Sequence, residues 1–261
     1  RSRRMRHLCR LSILVAVCIV WVKPGAAAEP LVDATWVRSN IGKPGLVFLD
    51  VRSFGAYRAA HVPGAIYTNY GRDGWRVKKK GVPGMLPDMQ HLEKLIGGLG
   101  IGNDSHVVIL SGGYSSGEMG VATRIYWTFK VVGLETVSIL NGGMESYLDA
   151  QKPHLEKGAP RPIRATFTAK FQPQYLATAK DVKAALAGNG QLIDHRPNDQ
   201  FVGVNKSGQV KRHGTLPGAV NLPGKWTTVD DGGVFRDAET LKTLFEAVGA
   251  STEGGTIAFC N

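Results

Sequence analysis

Cysteine is scarce in this 261-residue chain, with three in all, and two of them, Cys9 and Cys18, fall within residues 1–28. Cys260 therefore stands alone in the remainder. Without a partner for an internal disulfide, it is either a reactive thiol or a small buried hydrophobe. Long apolar runs are also lacking. The stretch at residues 11–22 is interrupted by Ser12 and falls short of the about 20 residues that a helix needs to cross a bilayer core. Neither of the chain's histidine-bearing motifs has metal-ligand spacing, so no metal and no other cofactor is expected. The glycine-rich segment Ser111-Gly112-Gly113-Tyr114-Ser115-Ser116-Gly117 lacks the Gly-Lys-Ser/Thr ending of a phosphate-binding loop, which excludes that use for it.

Acidic residues are missing from the amino-terminal segment. Arg1, Arg3, Arg4, Arg6 and Arg10 precede the apolar stretch, and Ala26-Ala27-Ala28 supplies small residues ahead of Glu29. That layout predicts a secretory signal peptide over residues 1–28, and a periplasmic or secreted protein. The rival reading, a transmembrane anchor, is disfavoured by length, so no stable membrane span is expected after cleavage. The formal charge of +11 comes from 32 basic and 21 acidic residues, and six of the positives lie in the leader. The mild excess that remains suits small anionic substrates and does not argue for nucleic acid. Lys78-Lys79-Lys80, the densest basic run, reads as a solvated loop.

What the chain does contain is a repeat. Leu46-Val47-Phe48-Leu49-Asp50-Val51-Arg52 is followed by Tyr57 and then His61-Val62-Pro63-Gly64-Ala65-Ile66. Later, Gln191-Leu192-Ile193-Asp194-His195-Arg196 is followed by Phe201 and then His213-Gly214-Thr215-Leu216-Pro217-Gly218-Ala219-Val220. Asp-x-Arg, an aromatic residue, His and Pro-Gly-Ala thus recur in one order. Leu92, Leu95, Ile96 and Leu99 in the first half, and Leu241, Leu244, Phe245 and Val248 in the second, have helical spacing. Gly100 and Gly249 mark the helix exits, and apolar strands follow at 106–110 and 256–259. Strand and helix alternating in this way predict an α/β protein of two domains, each a parallel sheet flanked by helices. The first domain is expected at 29–150, with a helix at 118–132, a strand at 137–140 and a last helix at 144–150. A proline-bearing surface linker is expected at 151–174. A second domain at 175–261 is expected to be incomplete, cut at its central strand. Cys260 follows that strand, and ligands in α/β proteins gather at the carboxyl ends of strands.

The paired Asp-x-Arg and His…Pro-Gly-Ala segments, with a cysteine after the second central strand, resemble the tandem-domain rhodanese (sulfurtransferase) family. The resemblance covers nearly all of residues 29–261, and Trp36 is similar to the opening of that family's first domain. It implies a non-catalytic first domain, with Ser111 in the place of a cysteine, and a catalytic second domain with Cys260 as nucleophile. The thiolate would take sulfane sulfur from thiosulfate or a similar small anionic donor and pass it, as a persulfide, to cyanide or a thiol. Asn261 would lend loop backbone to the site. The family's thiosulfate and mercaptopyruvate enzymes place an anion-binding Arg where this chain has Gln200, which counts against 3-mercaptopyruvate. Asp50 with Arg52 and Asp194 with Arg196 read as structural pairs, Arg196 also as a candidate anion contact, and His61 and His213 as turn-stabilising. The basic residues Lys206, Lys211 and Arg212 are candidate compensation for the missing charge. A monomer is expected. The competing readings are a non-catalytic sulfur carrier or binding module and, less favoured, a cysteine phosphatase of the related fold.

Overall fold

Runs rich in valine, isoleucine and leucine form the centre of the larger sheet, because strands covered on both faces are apolar on both. A computed structural model describes residues 28–150, 152–188, 190–251 and 255–260; residues 1–27 of the expected leader, and Asn261, lie outside them. The first half runs β1 (Leu31–Val32), α1 (Ala34–Ser39), β2 (Leu46–Asp50), α2 (Phe54–Ala59), β3 (Ile66–Tyr67), the small antiparallel hairpin β4 (Val77–Lys79) and β5 (Val82–Met85), and α3 (Met89–Gly98). It continues through β6 (His106–Leu110), α4 (Ser116–Val131), β7 (Val137–Leu140) and α5 (Gly143–Asp149). Five strands pair in parallel in the order β1-β7-β6-β2-β3.

The second half repeats the centre of this plan. After α6 (Ala179–Ala187) come β8 (Gln191–Asp194), α7 (Asn198–Phe201), β9 (Val220–Asn221), α8 (Ala238–Ala247) and β10 (Thr256–Phe259). Its parallel order, β10-β8-β9, corresponds to β6-β2-β3. The sequence placed β6, β7 and β10 at their observed bounds. It started α4 two residues late, because Ser115 caps the helix by accepting from the Glu118 N–H at 3.3 Å. Among the described residues no helix is long and apolar enough to cross a membrane.

Packing differs between the halves. Leu92 and Ile96 of α3 are buried against Leu49, Val107 and Ile109, with Met119, Ile125 and Phe129 of α4 completing that core. On the opposite face Phe48, Val108 and Leu110 meet Val37, Tyr57, Met144 and Tyr147. The smaller core joins Ile193, Leu222 and Ala250 to the half-buried Leu244, Phe245 and Val248, and α8 has no fully buried residue.

Two expectations change here. Lys78 and Lys79 are solvated, but in a strand rather than a loop. The linker is not merely superficial. Phe167 is buried in the first core, Ala165 N–H donates to Gly97 O at 2.9 Å, and Glu156 exchanges backbone hydrogen bonds with His61 at 3.0 and 2.8 Å. Isolated between polar neighbours, Phe167 gave no periodic signal of its burial.

The halves meet where the 224–236 segment, with its short 3-10 turns at Gly224–Thr227 and Val229–Asp231, lies on the first half. Gly142 N–H donates to Gly233 O at 3.0 Å, Phe235 N–H donates to Asn141 Oδ1 at 2.8 Å, and Ser116 Oγ bonds Asp231. Phe235 packs on the first core. Gly233 faces the Gly113 backbone so closely that a Cβ would collide with it. Gly233→Ala is expected to cost about 1–3 kcal/mol, the scale of an overpacked contact. Calorimetry should record a lower unfolding midpoint, and an unchanged midpoint would show that this docking does not contribute to stability.

Candidate active site

Strand register defines the site. Asp50 pairs with Leu110 and Asp194 with Phe259, so the residues that follow, Ser111 and Cys260, hold equivalent places at the carboxyl edges of the two sheets. The ladder extends one step further in both halves. Val51 N–H donates to Leu110 O at 3.0 Å, and His195 N–H donates to Phe259 O at 2.9 Å. His195 is thus the strand neighbour of Cys260, as Val51 is of Ser111. Ser111 is buried and its Oγ lies 3.0 Å from Met119 Sδ, whereas Cys260 is exposed with a free thiol.

Beside each position lies the same ionic fork. Arg196 Nε is 2.9 and 3.1 Å from the two Asp194 carboxylate oxygens, and its Nη2 is 2.6 Å from Oδ2 and 2.9 Å from Gly214 O. Arg52 bonds Asp50 in the same way, with Nη2 2.7 Å from Oδ2 and 2.7 Å from Ala60 O. Asp194 is fully buried, and burial alone would raise its pKa. Hydrogen bonds from Arg196 and Thr215 outweigh that and hold the carboxyl below its ordinary value. Arg196 is in turn raised, chiefly by its bond to Asp194 and, more weakly, by the charge of Cys260. Its fork is therefore turned to Asp194 and the Gly214 carbonyl rather than to solvent. The structural pairing of Asp194 with Arg196 is thus present, and the guanidinium lies 5.9 Å from the ring of Phe259, the residue before Cys260.

The two histidines are not equivalents. Arg52 reaches the carbonyl of Ala60 and Arg196 that of Gly214, so the residue matching His61 is Thr215. Counting back from Pro-Gly-Ala gives the same pairing, whereas residue type had matched His61 with His213. His61 is buried, its Nδ1 donates to Tyr57 O at 2.8 Å, and its ring stacks on Tyr57 at 4.2 Å. His213 is exposed and its Nδ1 donates to Gly203 O at 3.0 Å, which braces the longer loop of the second half. Thr215 Oγ1 donates to Asp194 Oδ2 at 2.7 Å. Gln200 lies half-buried on α7, and Lys206, Lys211 and Arg212 are exposed on the loop that follows.

A cleft of about 520 Å³ separates the halves at this edge. Ser116, Met119 and Thr123 of α4 line one wall, and His195, Lys225 and Thr228 line the other. His195 Nδ1 is 2.7 Å from Leu222 O. Burial lowers the His195 pKa, with the Leu222 hydrogen bond and the Asp194 charge opposing. Sequence reasoning passed over both His195 and Thr215. The available signal for His195 was the middle position of Asp-x-Arg, which is Val51 in one half and histidine in the other.

Comparisons with known proteins find similarity to one family. The rhodanese-like domain family matches residues 33–150. A protein of Mycolicibacterium smegmatis provisionally named thiosulfate sulfurtransferase is 31% identical over 244 residues, covering 90% of this chain and 84% of the relative. The 3-mercaptopyruvate sulfurtransferase of Homo sapiens is 28% identical over 261 residues, covering 97% of this chain and 82% of that protein. Among solved structures, SseA of Escherichia coli, described as a 3-mercaptopyruvate sulfotransferase, superposes with a TM-score of 0.76 at 27% identity and 88% coverage of each chain.

The Asp194 network has a pH consequence. A carboxyl depressed in the folded state contributes stability that is fully present above its unfolded pKa of about 3.9 and is lost as pH falls through the folded value. Thr215→Val removes one donor from a buried carboxylate and is expected to cost about 1–3 kcal/mol at neutral pH. Acid-unfolding curves should move to higher pH, and coincident curves would exclude Thr215 from the network.

Proposed function

The chain belongs to the rhodanese family of sulfurtransferases, and we propose that it moves sulfane sulfur from thiosulfate, or a similar small anionic donor, through a persulfide on Cys260 to cyanide or a thiol. One observation carries this reading: an exposed thiol occupies, in register, the strand-end position where the first half has a buried serine. The Asp194–Arg196 fork supplies the rigid support beside it. The Arg196 guanidinium stays bound to Asp194 and the Gly214 carbonyl rather than being drawn into the substrate. The leader's composition supports action outside the cytoplasm.

In this reaction the Cys260 thiolate attacks the outer sulfur of thiosulfate. A bond forms between that sulfur and Sγ, the donor's own sulfur–sulfur bond breaks, and sulfite leaves with the electron pair. The acceptor then attacks the outer persulfide sulfur, and the pair returns to Sγ.

Donor choice rests on Gln200. A neutral amide offers hydrogen bonds but no charge to the carboxylate of 3-mercaptopyruvate, and an arginine there would offer both. Thiosulfate is accordingly the preferred donor, although relatives of both names are similar to this chain.

Two measurements test these claims. Incubated with thiosulfate, the full-length protein should gain the mass of one sulfur atom, lose it on adding cyanide, and fail to gain it as Cys260→Ser. An unmodified wild type would overturn the mechanism. Gln200→Arg should raise kcat/KM for 3-mercaptopyruvate relative to thiosulfate about tenfold or more, the scale of a charge-assisted hydrogen bond. An unchanged ratio would remove Gln200 from donor selection.

A further inference from the structure

We propose that His195 is the base that takes the proton from the Cys260 thiol. The inference rests on the reading of Cys260 as nucleophile, and it names a residue that the Asp-x-Arg pattern by itself does not mark. Four observations converge on it. The His195 N–H bonds the carbonyl of Phe259, the residue before Cys260, so the two are neighbours across adjacent parallel strands. Side chains alternate along a strand, and register partners in a parallel pair share a face. With Asp194 opposite Phe259 on one face, His195 and Cys260 take the other.

The tautomer is set by the second observation. Leu222 O only accepts, so the His195 proton sits on Nδ1 at 2.7 Å from it, and Nε2 keeps a lone pair. Third, His195 lines the interdomain cleft rather than a closed core, and Cys260, outside that lining, is exposed at the neighbouring strand end. Fourth, the equivalent position in the half without a thiol is Val51, packed against that half's core. An imidazole is present where the sulfur is present and replaced by an aliphatic side chain where it is not.

Burial keeps the ring neutral near pH 7, the form that accepts a proton. The ionisable groups around it are Asp194 and Arg196 next to it in the chain, Cys260 after β10, and Lys225 and Asp231 of the adjoining 224–236 segment. The cleft-lining residues of α4 are Ser116, Gly117, Met119, Gly120 and Thr123, which carry no charge.

Proton and electrons balance through the cycle. The Cys260 S–H bond breaks, its proton goes to His195 Nε2, and the pair stays on Sγ. That pair forms the bond to the sulfane sulfur as sulfite departs, leaving a persulfide anion beside an imidazolium. When the acceptor removes the outer sulfur, the pair returns to Sγ and the imidazolium gives the proton back.

The test uses His195→Val, which installs the residue that the first half accommodates at this position, and His195→Asn, with circular dichroism to verify folding. Persulfide formation from thiosulfate is followed by rapid mixing across pH. Loss of a general base is expected to slow it about 10²-fold near pH 7. The deficit should shrink above about pH 8.5, where a free thiol ionises unaided. Rates equal to wild type at every pH, or reduced by one constant factor throughout, would overturn the proposal. Alkylation of Cys260 by iodoacetamide needs no sulfur donor and separates this idea from the one beneath it. Variants whose alkylation profiles move to higher pH support His195 even if thiosulfate leaves the protein unmodified. Profiles identical to wild type overturn it even if sulfur loading proceeds.

Discussion

Each half is organised around a carboxylate that has no access to water. Asp50 and Asp194 end the central strands at 0% exposure, and each is held by the arginine two residues on. A buried charge of this kind costs several kcal/mol to desolvate, and removing either partner leaves the other uncompensated, at about 3–5 kcal/mol. The pair fixes the exit from its strand, because the same guanidinium also reaches a carbonyl eight residues ahead in one half and eighteen ahead in the other. A loop of either length thus returns to one point. The second half can therefore carry a longer, basic excursion without disturbing the strand end where the thiol sits.

The first half uses its corresponding strand end differently. Its loop from Ser111 to Gly117, together with Asn141 and Gly142, receives the 224–236 segment of the second half. Gly113 has no side chain and a φ of 95°, which lets the partner backbone approach at Gly233. A loop of the kind that would surround a nucleophile has become the socket that orients the other half. This arrangement places the amino-terminal end of α4 on one wall of the cleft and His195 on the other.

Much of this was legible in the sequence because it rests on local rules. Strands at 106–110, 137–140 and 256–259 are short apolar runs bounded by polar or glycine residues, and Gly100 and Gly249 do adopt positive φ at helix exits. The equivalence of Ser111 and Cys260 followed from order alone, and register gives it a geometric basis. Three features were not legible. Phe167 is buried by a tertiary path that no periodicity announces. His61 and His213 share a residue type but not a position, since the insertion that separates them falls between aligned anchors. The pairing of Arg196 with Asp194 was legible, but the carbonyl and ring that also enclose the guanidinium were not.

The two faces of the central strands divide the labour of the fold. Asp50 and Leu110, and likewise Asp194 and Phe259, occupy one face, where the ionic fork fixes the strand ends. Val51 and Ser111, and likewise His195 and Cys260, occupy the other. Substitution on this second face does not touch the fork, so a Val–Ser pair and a His–Cys pair can occupy the same scaffold. The difference at the strand end that bears the thiol lies in that one register pair. A duplicated fold can thus keep both copies standing while the second carries a thiol, because the fork that holds the strand ends lies on the opposite side of the same two strands.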